Sequence, residues 1–238
     1  MTHRRLEDWH VHSTFSDGKH SLEDNVAEAK RRGLRRIGCV DHVRRDTAWV
    51  PDFVEACRAA ETRFGLDVVI GVEAKILDES GLCDVPAELR GVDHIYIADH
   101  RLPLERGCYS PAEVSAKLRD GELTRERVVE ALVGATERAM RRYPASVVAH
   151  LFSFLPKVRI SEEAVSDAQL HRLARAALET GAIFEVDERW RCPGTRTVAT
   201  LLDAGVPVVL STDSHRKDDI GVYRYALRVF TELGAAHA

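Results

Sequence analysis

The stretch PVVLSTDSH, residues 207–215, begins as an apolar run and ends with Asp213 and His215 two positions apart. Side chains along a β-strand alternate between faces, so residues two apart emerge on the same side. About two hundred residues earlier, DWHVHSTFSDG (8–18) sets His10 and His12 two apart in the same way, followed at once by a polar Ser-Asp-Gly turn. In an open doubly wound sheet the first and last strands lie well apart, whereas in a closed barrel they are neighbours. The two motifs make joint chemical sense if the sheet closes.

The rest of the chain alternates in a way that allows closure. Seven short β-branched or apolar runs occur at 6–12, 36–42, 67–76, 94–100, 146–150, 182–187 and 207–215. Between most of them lie stretches with helical periodicity. SLEDNVAEAKRRG has Ser21 as N-cap, Asp24 at the capping-box position and Gly33 at its end. Further helical stretches end at Gly65, Pro144 and Gly181, and two more begin at Gly194 and Asp219. Strands alternating with helices predict a parallel α/β fold. Only the connection 77–93 reads as too short and irregular for a helix, and 101–123 is long enough before its helix to serve as a lid.

At 238 residues and 45% hydrophobic, the chain can bury one sizeable core, and it reads as a single domain over 1–238. A net charge of −4, from 34 basic and 38 acidic residues, offers no basic excess for a long nucleic-acid backbone. The N-terminal MTHRRLEDWH has no apolar signal-like core, and no run of eighteen apolar residues exists, so no membrane association is expected. The five cysteines are scattered and contain no CxxC, which fits reduced thiols in a cytoplasmic protein.

Chemistry gathers at one end of the predicted strands. His10 and His12, Asp41 and His42, Glu73, Asp99 and His100, His150, and Asp213 and His215 all lie at the C-terminal ends of their runs, where barrel active sites are built. A chain needing only stability would not bear the desolvation of so many imidazoles and carboxylates in one place. Imidazole nitrogens with carboxylate oxygens suit zinc, manganese or iron. With Asp17 of the Ser-Asp-Gly turn, the candidates are His10, His12, Asp17, His42, Glu73, His100, His150, Asp213 and His215. One four-coordinate ion uses at most four of these, so two or three divalent ions are expected, with a carboxylate such as Glu73 bridging.

The ordered elements HVHSTFSDG, VDH, GVEAKI, ADH, VVAH and STDSH resemble the PHP (polymerase and histidinol phosphatase) superfamily, over residues 8 to about 221. That resemblance implies a distorted (β/α)7 barrel with a di- or trinuclear metal site at the C-terminal strand ends. It also implies phosphoester hydrolysis by a metal-bound hydroxide held by Glu73 and Asp213. Asp17 matches the Asp form of the first-loop ligand, with His20 as the substitute. The layout is closer to the compact histidinol-phosphatase-like branch, although LFSFLPK after His150 is more apolar than that branch's loop.

The expected activity is therefore hydrolysis of a small phosphorylated metabolite, a phosphomonoester. The alternatives are a nucleotide or short-oligonucleotide phosphoesterase and a non-catalytic metal-binding domain. Arg44, Arg101, Arg189 and Arg191 on strand-end loops, together with Lys75, are the candidate substrate contacts, because guanidinium matches phosphate bidentately. Asp41 and Asp99 are expected to orient ligand histidines from behind. His94, at the start of its strand, His171, in a helix, and the terminal His3 and His237 are expected to stand outside the site.

Overall fold

The computed structural model describes residues 6–105 and 107–234. Seven parallel strands form one sheet: β1 (Glu7–Val11), β2 (Arg36–His42), β3 (Asp67–Lys75), β4 (His94–Ala98), β7 (Val147–Ala149), β8 (Ile183–Asp187) and β9 (Val208–Ser211), in that order. The short β5 (Leu102–Leu104) and β6 (Gly107–Tyr109) make a separate antiparallel hairpin. Closure comes from the turn after β9. The amide of His12 donates to Ser214 O at 2.8 Å, and Ser214 N donates to His10 O at 3.2 Å. The first and last strands thus meet, as the paired HxH and DxH motifs require.

Below the site, the seam is tied by one carboxylate. Asp8, fully buried on β1, accepts hydrogen bonds from Thr212 N (3.0 Å), Thr212 Oγ1 (2.7 Å) and Gly221 N (2.8 Å). Each is a link between chain segments about two hundred residues apart.

The helices are α1 (Leu22–Arg31), α2 (Val50–Phe64), α3 (Pro111–Arg119), α4 (Arg125–Arg142), α5 (Asp167–Thr180), α6 (Thr195–Asp203) and α7 (Tyr225–Leu233). Ser21 caps α1 by accepting from Asp24 N at 3.1 Å. Helix α5 starts at Asp167, because Ser166 and Gln169 form the capping box there, just after a 3-10 turn at Glu162–Ala164. No helix forms in 77–93. The 101–123 segment is docked rather than free to act as a lid: Leu102 and Val114 are fully buried in the main core.

The apolar filling inside the barrel is small: Val40, Tyr96, Ala98, Val147 and Ala149. Tyr96 plugs it, with its hydroxyl donating to Trp9 O at 2.6 Å. Gly71 on β3 makes room, since a Cβ there would come within 2.4 Å of the Tyr96 ring. The His10 ring packs edge-on against this plug, with ring centroids 5.1 Å apart, so the polar side chains start where the apolar floor ends. The two larger cores lie outside the barrel, under the helices.

Candidate active site

The nine candidate residues converge at the C-terminal ends of the strands, each within 4.0 Å of another member. Glu73 is the centre. Its Oε2 lies 3.5 Å from His10 Nε2, 3.4 Å from His12 Nε2 and 2.8 Å from His42 Nδ1. Its Oε1 lies 3.1 Å from His100 Nε2 and 2.8 Å from His150 Nε2. The two oxygens of one buried carboxylate therefore face two different sets of imidazoles.

A third group completes the ring. Asp213 Oδ1 is 3.1 Å from His12 Nε2, and His215 Nε2 is 3.2 Å from Asp17 Oδ1. Three sets of ligand-type atoms are compact enough for one ion each: His10, His12 and Glu73; His42, Glu73 and His100; and His12, Asp17, His42 and His215. His20 belongs to none of them. Gly18 explains how Asp17 reaches inward, because a Cβ at Gly18 would strike His12 O at 2.5 Å and the loop can fold back only on a bare backbone.

Three buried polar atoms of this ring, His12 Nδ1, Glu73 Oε2 and Asp213 Oδ1, have no hydrogen-bond partner. Each such atom costs roughly 1–3 kcal/mol unless something satisfies it. A nitrogen-and-carboxylate donor set with unspent lone pairs fits divalent cations. The backbone is also constrained here. His150 (φ 32°) and Asp213 (φ 47°) occupy the left-handed region that non-glycine residues avoid, a strain of roughly 1–3 kcal/mol each that is characteristic of functional sites.

Buried carboxylates set the charge of the cluster. Burial alone would raise Glu73, but His100, His42 and His10 outweigh it and hold its pKa well below the usual range. Burial works against protonation of His10 and His150, yet Glu185 and Glu73 lift the first well above its usual value, and Asp99 and Glu73 lift the second. Asp187 goes the other way: burial, Asp213 and Glu185 all push it up.

Several supporting residues were not evident from the sequence. Glu185, fully buried in the middle of β8, stands 3.2 Å from His10 Nδ1 and accepts from His150 N at 2.8 Å. Its parity with Asp187 along β8 was the available signal. Trp190 donates its indole N–H to Asp213 Oδ2 at 2.6 Å. Asp99 supports His150 at 3.3 Å, as expected. Asp41 departs from expectation: it accepts from Ser13 N, Ser13 Oγ and Ser16 Oγ, so it braces the first loop rather than a histidine. As its strand alternation predicts, Asp41 points away from the face of His42.

The candidate substrate contacts separate. Arg44 and Lys75 line a cavity of about 500 Å³ on one side of Asp17, and Arg189 and Arg191 line one of about 810 Å³ on the other. Lys75 is engaged by Asp84 at 3.0 Å, and Arg101 is exposed and lines neither cavity. Arg189 contacts His215 Nδ1 and donates to Asp213 O at 3.2 Å, which places its guanidinium at the rim of the cluster. His94 lies apart from the site, with Nδ1 2.6 Å from Ala145 O.

The fold and site define a nearly closed parallel barrel with a cluster of histidines and carboxylates able to hold metal at its strand ends. A family model described as PHP domain matches residues 8–187, and the chain belongs to that family. The matched segment stops before β9, so Asp213 and His215 join the cluster on geometry alone. Among curated relatives, one from Caldanaerobacter subterraneus carrying the name probable phosphatase is 23% identical, over 98% of this chain and 85% of its own length. Another of that name, from Edwardsiella ictaluri, is 26% identical over 95% of this chain and 85% of its own. The solved structure of hisK from Listeria monocytogenes, provisionally named histidinol phosphatase, superposes with TM-score 0.67 at 15% identity. It covers 90% of this chain and 97% of its own, which is a likeness of fold.

Proposed function

We propose that this chain is a metal-dependent phosphoesterase that hydrolyses a small phosphomonoester, with a histidinol-phosphate-like compound as the model substrate. One observation carries the reading: Glu73 presents its two oxygens to two separate imidazole sets, the arrangement expected of a carboxylate shared between two cations. Membership in the PHP family and the relatives named phosphatase support it.

His10, His12, Asp17, His42, Glu73, His100, His150, Asp213 and His215 would hold two or three ions of the zinc, manganese or iron kind. Such ions supply charge neutralisation on the phosphoryl oxygens and water of lowered pKa. The chain's own groups do the rest. Glu185 and Asp99 fix the ring orientation of His10 and His150 through their second nitrogens. Trp190 holds the outer oxygen of Asp213, leaving Oδ1 free to face the cluster. Arg189 and Arg191 line the open cavity beside Asp213 and His215 and would take phosphoryl oxygens in bidentate fashion.

The test is phosphate release from a panel of phosphomonoesters with Mn²⁺ or Zn²⁺ and with EDTA, on wild-type and Asp213→Asn protein of verified fold. Turnover that needs metal and is lost in the variant supports the reading. No release by fully metallated wild-type protein overturns it and favours a diester or a non-catalytic metal domain.

A further inference from the structure

A third cavity, also of about 810 Å³, is lined by Ser115, Leu118, Arg119, Leu123, Thr124, Arg125, Lys157, Val158 and Arg159. Four of its nine lining residues are cations and none is a carboxylate. By contrast, Arg127 and Arg141 on α4 and Arg172 on the neighbouring α5 pair with carboxylates: Arg127 with Glu79, Arg141 with Glu137 and Glu179, and Arg172 with Glu130 and Glu137. Among the described residues, Arg119, Arg125, Lys157 and Arg159 have no such ion pair with a carboxylate. Gathering four unpaired cations around one concavity costs mutual repulsion, which an anion removes.

The cavity opens on the same face of the barrel as the cluster. The Leu155–Val158 turn begins five residues after His150, and α4, which runs back to feed β7, starts at this face. Trp190 joins the two places. The Lys157 ammonium lies 3.9 Å from the centre of the Trp190 ring, and the indole N–H of that ring reaches Asp213 at 2.6 Å. An indole's width therefore separates the cationic pocket from a residue of the cluster.

We propose that Arg119, Arg125, Lys157 and Arg159 form a binding site for a second phosphate, carried by the substrate whose other phosphate is cleaved at the cluster. This rests on the phosphoesterase reading above. Four cations suit a doubly charged phosphate better than a single carboxylate, and guanidinium presents the matching donor fork. The first turn of α4, with Thr124 as its cap, adds a favourable dipole. Trp190 stands between the two sites, with the Lys157 ammonium over one face of its ring.

The experiment compares para-nitrophenyl phosphate, with one phosphate, and adenosine 3′,5′-bisphosphate, with two, on metal-loaded wild-type and Arg125→Gln/Arg159→Gln protein. Both substitutions are at exposed positions, so the fold is expected to survive. KM for the bisphosphate should rise about tenfold or more, the scale of two lost charged hydrogen bonds, while kcat and the para-nitrophenyl phosphate constants stay put. An unchanged KM for the bisphosphate, or an equal rise for both esters, overturns the proposal. Calorimetric titration of the bisphosphate into both proteins reads the pocket even without cleavage. Affinity lost in the variant then supports the pocket and leaves the failure with the phosphoesterase reading, whereas equal affinity overturns the pocket.

Discussion

Both carboxylate oxygens of Glu185 stand 3.2 Å from Nδ1 of His10, on the side of the ring away from Glu73. A carboxylate behind a ligand imidazole fixes its tautomer and raises its basicity. Glu185→Gln keeps an acceptor for the His150 amide but loses the charge. Metal affinity should fall about 10–100-fold with the fold intact. Competition with a chromogenic chelator measures this, and unchanged affinity would show that Glu185 only fills space.

Asp17 and His20 make opposite predictions for the first loop. Asp17 lies within 3.8 Å of His12, His42 and His215, whereas His20 joins no cluster. Asp17→Asn should remove part of the bound metal and cut turnover by at least about tenfold, while His20→Gln should change either by less than about twofold. Metal analysis of the purified variants decides, and the reverse ranking would hand the role to His20.

The protonation of His12 links metal and pH. Burial opposes its imidazolium, but Asp213 and Glu73 outweigh that and lift its pKa from 6.5 to about 9. In chelator-stripped protein this pairing contributes to stability fully below pH 6.5 and is lost as pH rises toward 9. A cation needs the neutral ring, so loading near neutral pH expels the proton and affinity climbs with pH through the same window. Titrations in buffers of different ionisation enthalpy should register proton release, and a stripped-protein Tm that is flat across the window would refute the pairing.

At the barrel seam, Asp8→Asn puts an amide where Asp8 Oδ2 now accepts from Thr212 Oγ1 and Gly221 N. The Gly221 N–H would then face a donor, and the Thr212 hydroxyl would have to turn to accept instead. The expected cost is about 2 kcal/mol, or roughly 4–8 °C in Tm for a chain of this size. Thermal unfolding of the stripped variant isolates this from metal binding.

Much of the site was legible because strand alternation projects onto sequence. HVH, VDH, ADH, VVAH and TDSH each reveal which side chain shares a face, and only closure was needed to bring them together. The supports were harder to read. Glu185 sits inside AIFEVD, where its parity with Asp187 marks a shared face but says nothing of the imidazole it meets 175 residues away. Asp41 read as a partner for histidine because it neighbours His42, yet its direction is settled by the first loop's hydroxyls. The docked hairpin of β5 and β6 lacked length and periodicity, and its burial against α4 is a tertiary effect.

The closing seam between His10–His12 and Ser214 also sets an order of events during synthesis. A ribosome releases the first two imidazoles about two hundred residues before Asp213 and His215 exist. The nascent chain can offer an ion only a partial set of donors, and the outer edge of β1 stays unpaired until the final strand arrives. Full metal uptake thus marks a finished molecule, and a chain that stalls before β9 would leave an adhesive edge exposed for chaperones or proteases to find.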